Sequence, residues 1–227
     1  MRVLYSYPHR VGAAGPGTTA EQQIKGLVAH GHEVTLYCMS IGSPLDGLLR
    51  TVKTMAVGSR RIPRKLFGFD RSLAYHDWRV ARVLPRLAGE IDAIHCWGLA
   101  SVRSLAVARA LGIHSFREVT NTHTEFSYQQ ASAEAEALGV RMPRGHSHLP
   151  NPRRLELENR EFRLASTLLI PSDYTLRTFA ERDFPPEQLI RHRYGFDPGR
   201  FPTPPAERDA NAPFTACFVG HAEPRKG

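Results

Sequence analysis

The chain has 227 residues, 41% of them hydrophobic, and a formal net charge of +8. That composition excludes disorder as the default and supplies a core for one large domain, or for one domain and part of another. No apolar run nears the roughly 20 residues needed to cross a bilayer, and Met1-Arg2 leads into a strand-like segment instead of a signal peptide, so we read a cytoplasmic chain.

Residues 3–7 read as a first strand, followed by a glycine loop and a helix carrying Ala20, Ile24, Leu27 and Val28 on one face. Gly31 stops that helix, and residues 33–38 are β-branched and aromatic enough for a second strand. After a less regular stretch, the pattern predicts a helix over 72–87, a strand over 92–96, a helix over 99–111 and a strand over 114–119. Asn151 caps a helix over 152–165 with Pro152 at its first position, and 167–170 is again a strand. Ser172 or Asp173 caps a helix with Leu176, Phe179 and Ala180 on its apolar face, and 189–194 is the last strand of the series.

Such alternation implies an α/β fold, a doubly wound and mostly parallel sheet of Rossmann-like form, over residues 1–203. The proline-rich residues 204–213 read as a linker. Residues 214–227 read as the start of a second α/β domain, a strand over 214–219 and a loop from Gly220, cut short where a helix would follow. Cys38, Cys96 and Cys217 lie far apart and form no Cys-x-x-Cys pair, which points to reduced, mostly buried thiols.

The first strand-to-helix loop runs Gly12-Ala-Ala-Gly15-Pro-Gly17-Thr18-Thr19. Bare amides and the positive helix end suit an anion or a sugar hydroxyl there, although glycines also make plain tight turns. The spacing does not match the dinucleotide fingerprint, and Tyr37-Cys38-Met39 offers no acidic residue for a ribose, which disfavours an NAD enzyme. A Walker A lysine and a Gly-x-Ser-x-Gly elbow are both missing from the sequence. His95 and His123 fall at strand ends, where one cleft would let them exchange protons or bind a sugar; as structural residues they would simply be satisfied in place. His146-Ser-His148 has no nearby carboxylate or cysteine ligands, so no metal site is expected.

Within residues 50–71, Arg50, Lys53, Arg60, Arg61, Arg64, Lys65 and Arg71 face Asp70 alone, interleaved with Met55, Leu66, Phe67 and Phe69. This stretch suits an anionic membrane surface, placing the chain at the inner face of the membrane, or an anionic acceptor, or else a solvated loop. Nucleic acid is not expected, because no helix-turn-helix, zinc-finger or aromatic RNA-binding motif accompanies the charge. At the far end, Gly220, His221, Arg225 and Lys226 put two consecutive cations in a post-strand loop, a geometry suited to a diphosphate.

Taken together, these segments resemble the retaining GT-B glycosyltransferases of family 4. Gly15-Pro-Gly17-Thr18 through Gly31-His32-Glu33-Val34 resembles the family's glycine loop, first helix and second-strand entry, and Val119-Thr-Asn-Thr-His123 resembles its strand ending in histidine. Leu168-Leu-Ile-Pro-Ser-Asp173 through Tyr194-Gly-Phe-Asp197-Pro-Gly-Arg-Phe201 resembles the close of the N-terminal domain. Phe218-Val-Gly220-His221-Ala-Glu-Pro-Arg225-Lys226-Gly227 resembles the first strand and loop of the nucleotide-sugar domain.

The resemblance implies transfer of a hexose or similar sugar, with retention, from a nucleotide-sugar co-substrate to a sugar or lipid-linked acceptor, with no cofactor and no metal. By position, Gly15, Gly17 and Thr18 would approach donor phosphates or acceptor, with His95 also on the substrate side. His123 would contact the transferred sugar as the catalytic residue, and Lys226 and Arg225, beside Gly220 and His221, would bind the donor diphosphate. His221 stands where the family commonly has arginine, and neither the donor-side Glu-x7-Glu pair nor an Asp-x-Asp occurs. The expectation is therefore that this polypeptide alone has little or no transferase activity. The competing reading is a non-catalytic α/β binding domain, a remnant or half of a split enzyme.

Overall fold

The computed structural model describes residues 1–42, 45, 47–48, 50–57, 60–62, 68–196, 199, 213–217 and 219. The opening follows the predicted order: β1 (Arg2–Val11), α1 (Pro16–Ala29) and β2 (Glu33–Ile41). Gly31 takes φ +76, and the Gly31 and His32 amides donate to Val28 and Leu27 carbonyls, which ends α1 and turns the chain into β2. The stretch that carried no pattern holds β3 (Arg50–Lys53) and a small hairpin, β4 (Ala56–Val57) with β5 (Arg60–Arg61). Next come α2 (Phe69–Leu87), β6 (Ala93–Trp97), α3 (Val102–Ala110) and β7 (His114–Glu118). After β7, α4 (Thr124–Ala137), α5 (Pro152–Leu164), β8 (Thr167–Ile170), α6 (Asp173–Ala180) and β9 (Leu189–Arg191) complete the series.

The main sheet has seven strands in the order β3-β2-β1-β6-β7-β8-β9, and every neighbouring pair is parallel. The fold class is thus the expected doubly wound α/β sheet. From β1 the chain steps outward to β2 and β3, then returns through α2 and lays β6 on the other side of β1. That reversal makes the carboxyl ends of β1 and β6 the topological switch point, where open α/β sheets form a crevice. Strand alternation sorts the core into two layers. Leu4, Val80, Leu84, Ile94, Leu105, Phe162, Leu168 and Phe179 fill one face, whereas Tyr5, Tyr7, Ile24, Val34, Leu36 and Trp97 fill the face under α1. Each such side chain contributes about 1.5–3 kcal/mol of burial.

Polar groups lock the helices to these layers. Asp77 on α2 accepts from the Arg103 and Ser104 amides, capping α3 from a neighbouring helix. His76 lies buried between Ser6 Oγ (3.0 Å) and Thr54 Oγ1 (2.8 Å), and burial brings it down to about 3, so it stays neutral. Asn151 and Ser172 cap α5 and α6 through their side chains, Ser172 being the cap of the two residues considered. Cys38 and Cys96 are buried and Cys217 is exposed, all three reduced.

Three sequence expectations need correction. Helix α4 was not anticipated, because its buried face is Thr124, Ser127, Tyr128, Ala131 and Ala135, small or polar groups that give little apolar contrast. The last strand ends at Arg191 instead of residue 194, since His192 and Tyr194 turn toward Glu118. Residues 214–217 form no strand and lie exposed, with no partner ladder among the described residues.

Candidate functional site

The crevice begins at the glycine loop between β1 and α1. Gly15 is the N-cap of α1 at φ 78 and supplies no side-chain acceptor, so the positive end of the helix has no side-chain cap. Gly17 serves a different need: a Cβ there would lie 2.6 Å from the Arg10 backbone oxygen, so the helix start lies against the carboxyl end of β1. Thr18 Oγ1 donates to the Ala13 oxygen and holds the loop on itself. The three residues singled out in this loop therefore shape a helix entry without a side-chain cap at the topological switch point.

One layer below lies a buried polar hub on Glu118, the last residue of β7, which is 1% exposed. Gln23 of α1 donates to Glu118 Oε2 at 3.0 Å, and the Tyr194 hydroxyl donates to Oε1 at 2.9 Å. His95 Nε2 and His192 Nδ1 approach the same carboxylate at 3.3 and 3.5 Å. Burial alone would raise this carboxyl, but the hydrogen bonds and charge of His192 and His95 outweigh it and bring it down to about 2. The chain extends further: Tyr5 donates to Gln23 Oε1 at 2.5 Å, Trp97 Nε1 donates to the Tyr5 hydroxyl at 2.8 Å, and Tyr5 stacks on His95 at 4.5 Å. The hub thus fixes α1, and with it the glycine loop, against β1, β6, β7 and the segment after β9. His95 belongs to this hub and is only 6% exposed.

On the opposite sheet face, Glu161 of α5 accepts from the Leu99 and Ser101 amides at 2.9 Å each, and from Arg117 Nη2 at 3.0 Å. Leu99 sits at φ 70, a left-handed conformation rare for a branched residue. Glu161 therefore holds a strained loop at the carboxyl end of β6, beside the crevice. Arg117 also lies 3.5 Å from Glu158 and 4.2 Å over the Phe162 ring. Next to it opens a cavity of about 90 Å³, lined by Arg117, Thr120, Asn121, Thr124, His148 and Glu158 among others. Glu118, Glu161 and Arg117 were not recognised from sequence, because His114-Ser-Phe-Arg-Glu-Val119 has no apolar run against which a buried charge stands out.

His123 occupies a different setting from the one expected. It is the N-cap of α4, its Nδ1 accepting from the Glu125 amide at 3.3 Å, and it is 3% exposed. Its ring packs against Phe162, Phe179 and Phe184 at 5.2 to 5.9 Å. Burial, then the Arg182 charge, bring it down to about 4, so the imidazole is neutral at pH 7. The structure thus does not bring His123 and His95 to one surface. Gly220, His221, Arg225 and Lys226 lie outside the described residues, as do Arg64, Lys65, Leu66 and Phe67 of the basic stretch. Arg50, Lys53 and Arg60 are exposed, and Met55 is buried. Among the described residues, no cluster of three or more His, Cys, Asp or Glu could hold a metal ion, and no helix is long and apolar enough to cross a membrane.

Comparison with known proteins agrees with this architecture. The family model described as Glycosyltransferase Family 4 matches residues 13–200. A search among curated proteins finds no match. Among solved structures, UGT2 of Phytolacca americana, complexed with UDP-2fluoro-glucose and pterostilbene, is similar at TM-score 0.51 and 13% identity, over 86% of this chain and 52% of that one. A ugt transferase from Siraitia grosvenorii in complex with UDP gives 0.50 and 16%, over 84% and 50%. UDP-GlcNAc 2-epimerase from Methanocaldococcus jannaschii gives 0.48 and 9%, over 84% and 45%. The likeness to the two plant structures is one of fold, a GT-B-like α/β arrangement, and the chain spans about half the length of the structures it matches.

Proposed function

The chain belongs to glycosyltransferase family 4, and on that premise we propose that it is the acceptor-side part of an enzyme that moves a sugar from a nucleotide-sugar to a sugar or lipid-linked acceptor with retention. The observation that carries this reading is the α1 entry without a side-chain cap at the switch point, formed by Gly15 and the close approach of Gly17 to β1. Amides and helix dipole there orient an acceptor hydroxyl or a donor phosphate oxygen without any charged side chain. The Glu118 hub keeps α1 in place, and Glu161 holds the 98–101 loop across from it. His123, neutral and turned inward, enters as the cap that fixes the start of α4 beside the cavity. Gly220, His221, Arg225 and Lys226 are proposed to meet the donor diphosphate, with no metal or other cofactor. We place the chain in the cytoplasm, with residues 50–71 toward an anionic membrane surface.

The test uses amide spectra of the 227-residue chain titrated with neutral hexosides, a lipid-linked sugar and UDP-sugars, alongside a turnover assay. Acceptor sugars are expected to shift residues 12–18 and 95–99, a response lost in Gly17→Ala, while the chain alone releases little or no nucleotide. Absence of any shift at those residues would sink the acceptor assignment. Rapid turnover by this polypeptide alone would overturn its restriction to the acceptor side.

A further inference from the structure

The cavity beside Arg117 lies on the sheet face away from α1, where Phe162 of α5 packs, and takes no part in the sugar transfer proposed above. Its floor is polar and buried: Arg117, Thr124, Ser127, Tyr128 and Glu158 are each less than a tenth exposed. Its rim, Thr120, Asn121, Thr122, Ser147 and His148, is exposed or half-buried. Thr124 donates to Glu158 at 2.7 Å and Ser127 Oγ lies 3.1 Å from His148 Nδ1, so these two hydroxyls are satisfied. Two other floor atoms are not. The Tyr128 hydroxyl and Arg117 Nε are buried and have no hydrogen-bond partner in the protein. Such groups are rare in folded proteins, because a buried donor or acceptor that gives up water and gains nothing is destabilising.

Charge narrows what can serve them. Arg117 is held by Glu161 at 3.0 Å and Glu158 at 3.5 Å, and Arg154 Nε by Glu158 at 3.3 Å. Two cations thus meet two carboxylates, and an anion entering beside Glu158 would face a like charge with no surplus cation to offset it. An apolar ligand would leave Tyr128 and Arg117 Nε as they are. A hydroxyl suits both, since it accepts from the Arg117 N–H and either donates to or accepts from Tyr128. At about 90 Å³ the space exceeds the roughly 10–15 Å³ that one water needs, and is smaller than the roughly 150 Å³ that admits benzene. It takes about four heavy atoms on that scale, the two carbons and two oxygens of a vicinal diol. The remainder of such a molecule would leave past the rim.

We propose that this cavity binds the terminal vicinal diol of a neutral polyol, with Arg117 Nε and the Tyr128 hydroxyl as its buried partners. The diol belongs either to a free polyol or to a glycerol-like arm carried on a sugar, and the floor recognises the same chemistry in both. Because Arg117 is on β7 and Tyr128 on α4, the ligand bridges helix to sheet, and its binding stabilises the folded chain. Nothing in this proposal depends on a nucleotide-sugar or on transfer.

The test titrates the 227-residue chain with glycerol and with 1-O-glucosylglycerol while backbone amides are followed. Saturable shifts are expected at residues 117–128 and 147–148, with Kd in roughly the millimolar range for so small a ligand. 1-Propanol, with one hydroxyl on the same carbon chain, and inorganic phosphate should leave these amides unmoved. Tighter binding of glucosylglycerol would assign the diol to a sugar-borne arm, and tighter binding of glycerol would assign it to a free polyol. Tyr128→Phe should weaken binding about fivefold or more. Its unfolding midpoint should stay at or above that of wild type, because the hydroxyl it removes has no partner within the protein. Saturation by 1-propanol, displacement of the polyol by phosphate, or undiminished binding in Tyr128→Phe would each overturn the proposal. So would the lack of any saturable shift with either polyol, which would leave a cavity that holds only water. The wild-type titrations stand whatever the stability of the variant. Sugar transfer is read at residues 12–18 and 95–99 and by turnover, so failure of the one proposal and failure of the other are separately visible.

Discussion

The Tyr194 hydroxyl donates to Glu118 Oε1 at 2.9 Å, so the segment that leaves β9 is tied to a carboxylate on β7, two strands away. A buried hydrogen bond to a charged group contributes about 1.5–3 kcal/mol. Because Tyr194 is 42% exposed, water replaces part of that bond, and Tyr194→Phe should lose about 1 kcal/mol. Glu118→Ala is a harsher change. It leaves Gln23, His95, His192 and Tyr194 without their shared acceptor, and should cost about 3 kcal/mol or more. Urea unfolding measures both; wild-type stability in Tyr194→Phe would mean that water serves the hydroxyl equally well.

The same hub sets a pH dependence with a definite sign. Burial opposes ionisation of Glu118, but His192 and His95 bring its carboxyl from 4.5 down to about 2, so its contribution is present above 4.5 and lost as pH falls toward 2. His192 is raised above 6.5, first by its hydrogen bond to Glu118, so its contribution is complete below 6.5 and lost as pH rises through the higher folded value. The two shifts describe largely one pair and are counted once. The stability difference between wild type and His192→Phe should therefore peak between pH 4.5 and 6.5. With the imidazole a third exposed, the peak should reach about 1 kcal/mol at most. Unfolding curves across pH test this, and a difference flat with pH would show that His192 acts by packing alone.

How far the site was legible in sequence follows from what each residue depends on. Gly15, Gly31, Asn151 and Ser172 act locally, through backbone conformation and caps, so residue type and spacing announce them. Six of the seven parallel strands were equally legible, because helical periods separate them, whereas β3 lies in the stretch that carried no pattern. Glu118 depends on α1, β6 and the turn after β9, and such pairing is set by register and strand order, which one sequence does not display. His123 was read as a cleft residue for a related reason. Without α4 in view it had no helix to cap, and the three phenylalanines around it come from α5, α6 and the segment beyond.

Arg117 compensates two carboxylates inside the protein, Glu161 at 3.0 Å and Glu158 at 3.5 Å. Removing one partner of a buried ion pair costs about 3–5 kcal/mol, so Arg117→Met should be among the most damaging single changes in the chain. Burial already raises the Glu161 carboxyl, with Arg117 the chief opposing influence. Without that cation the carboxyl rises further, and a raised carboxyl loses stability as pH increases. The deficit of Arg117→Met should accordingly be largest at neutral pH and shrink on acidification, and adding Glu161→Gln should recover part of it. Thermal unfolding at two pH values decides; a deficit independent of pH in both variants would trace the damage to lost packing on Phe162.

Two glycines on one helix should respond in opposite directions to the same substitution. At Gly17 an added Cβ meets the Arg10 backbone oxygen at 2.6 Å and Ala13 Cβ at 3.1 Å, and the first of these is backbone that no rotamer change relieves. Gly17→Ala must push α1 away from β1, with an expected loss of about 1–3 kcal/mol. The displacement would also stretch the Gln23 link to Glu118, so the damage should reach the hub. At Gly26, nine residues along α1, nothing lies within 4 Å of the added carbon. Gly26→Ala therefore gains helix propensity and loses unfolded-state freedom without strain, worth about 0.4–1 kcal/mol. Urea midpoints for the two variants beside wild type test both signs at once. A stable Gly17→Ala protein would mean that the loop has room the structure does not show, and the argument that glycine is needed there to bring the helix end against the strand would fail.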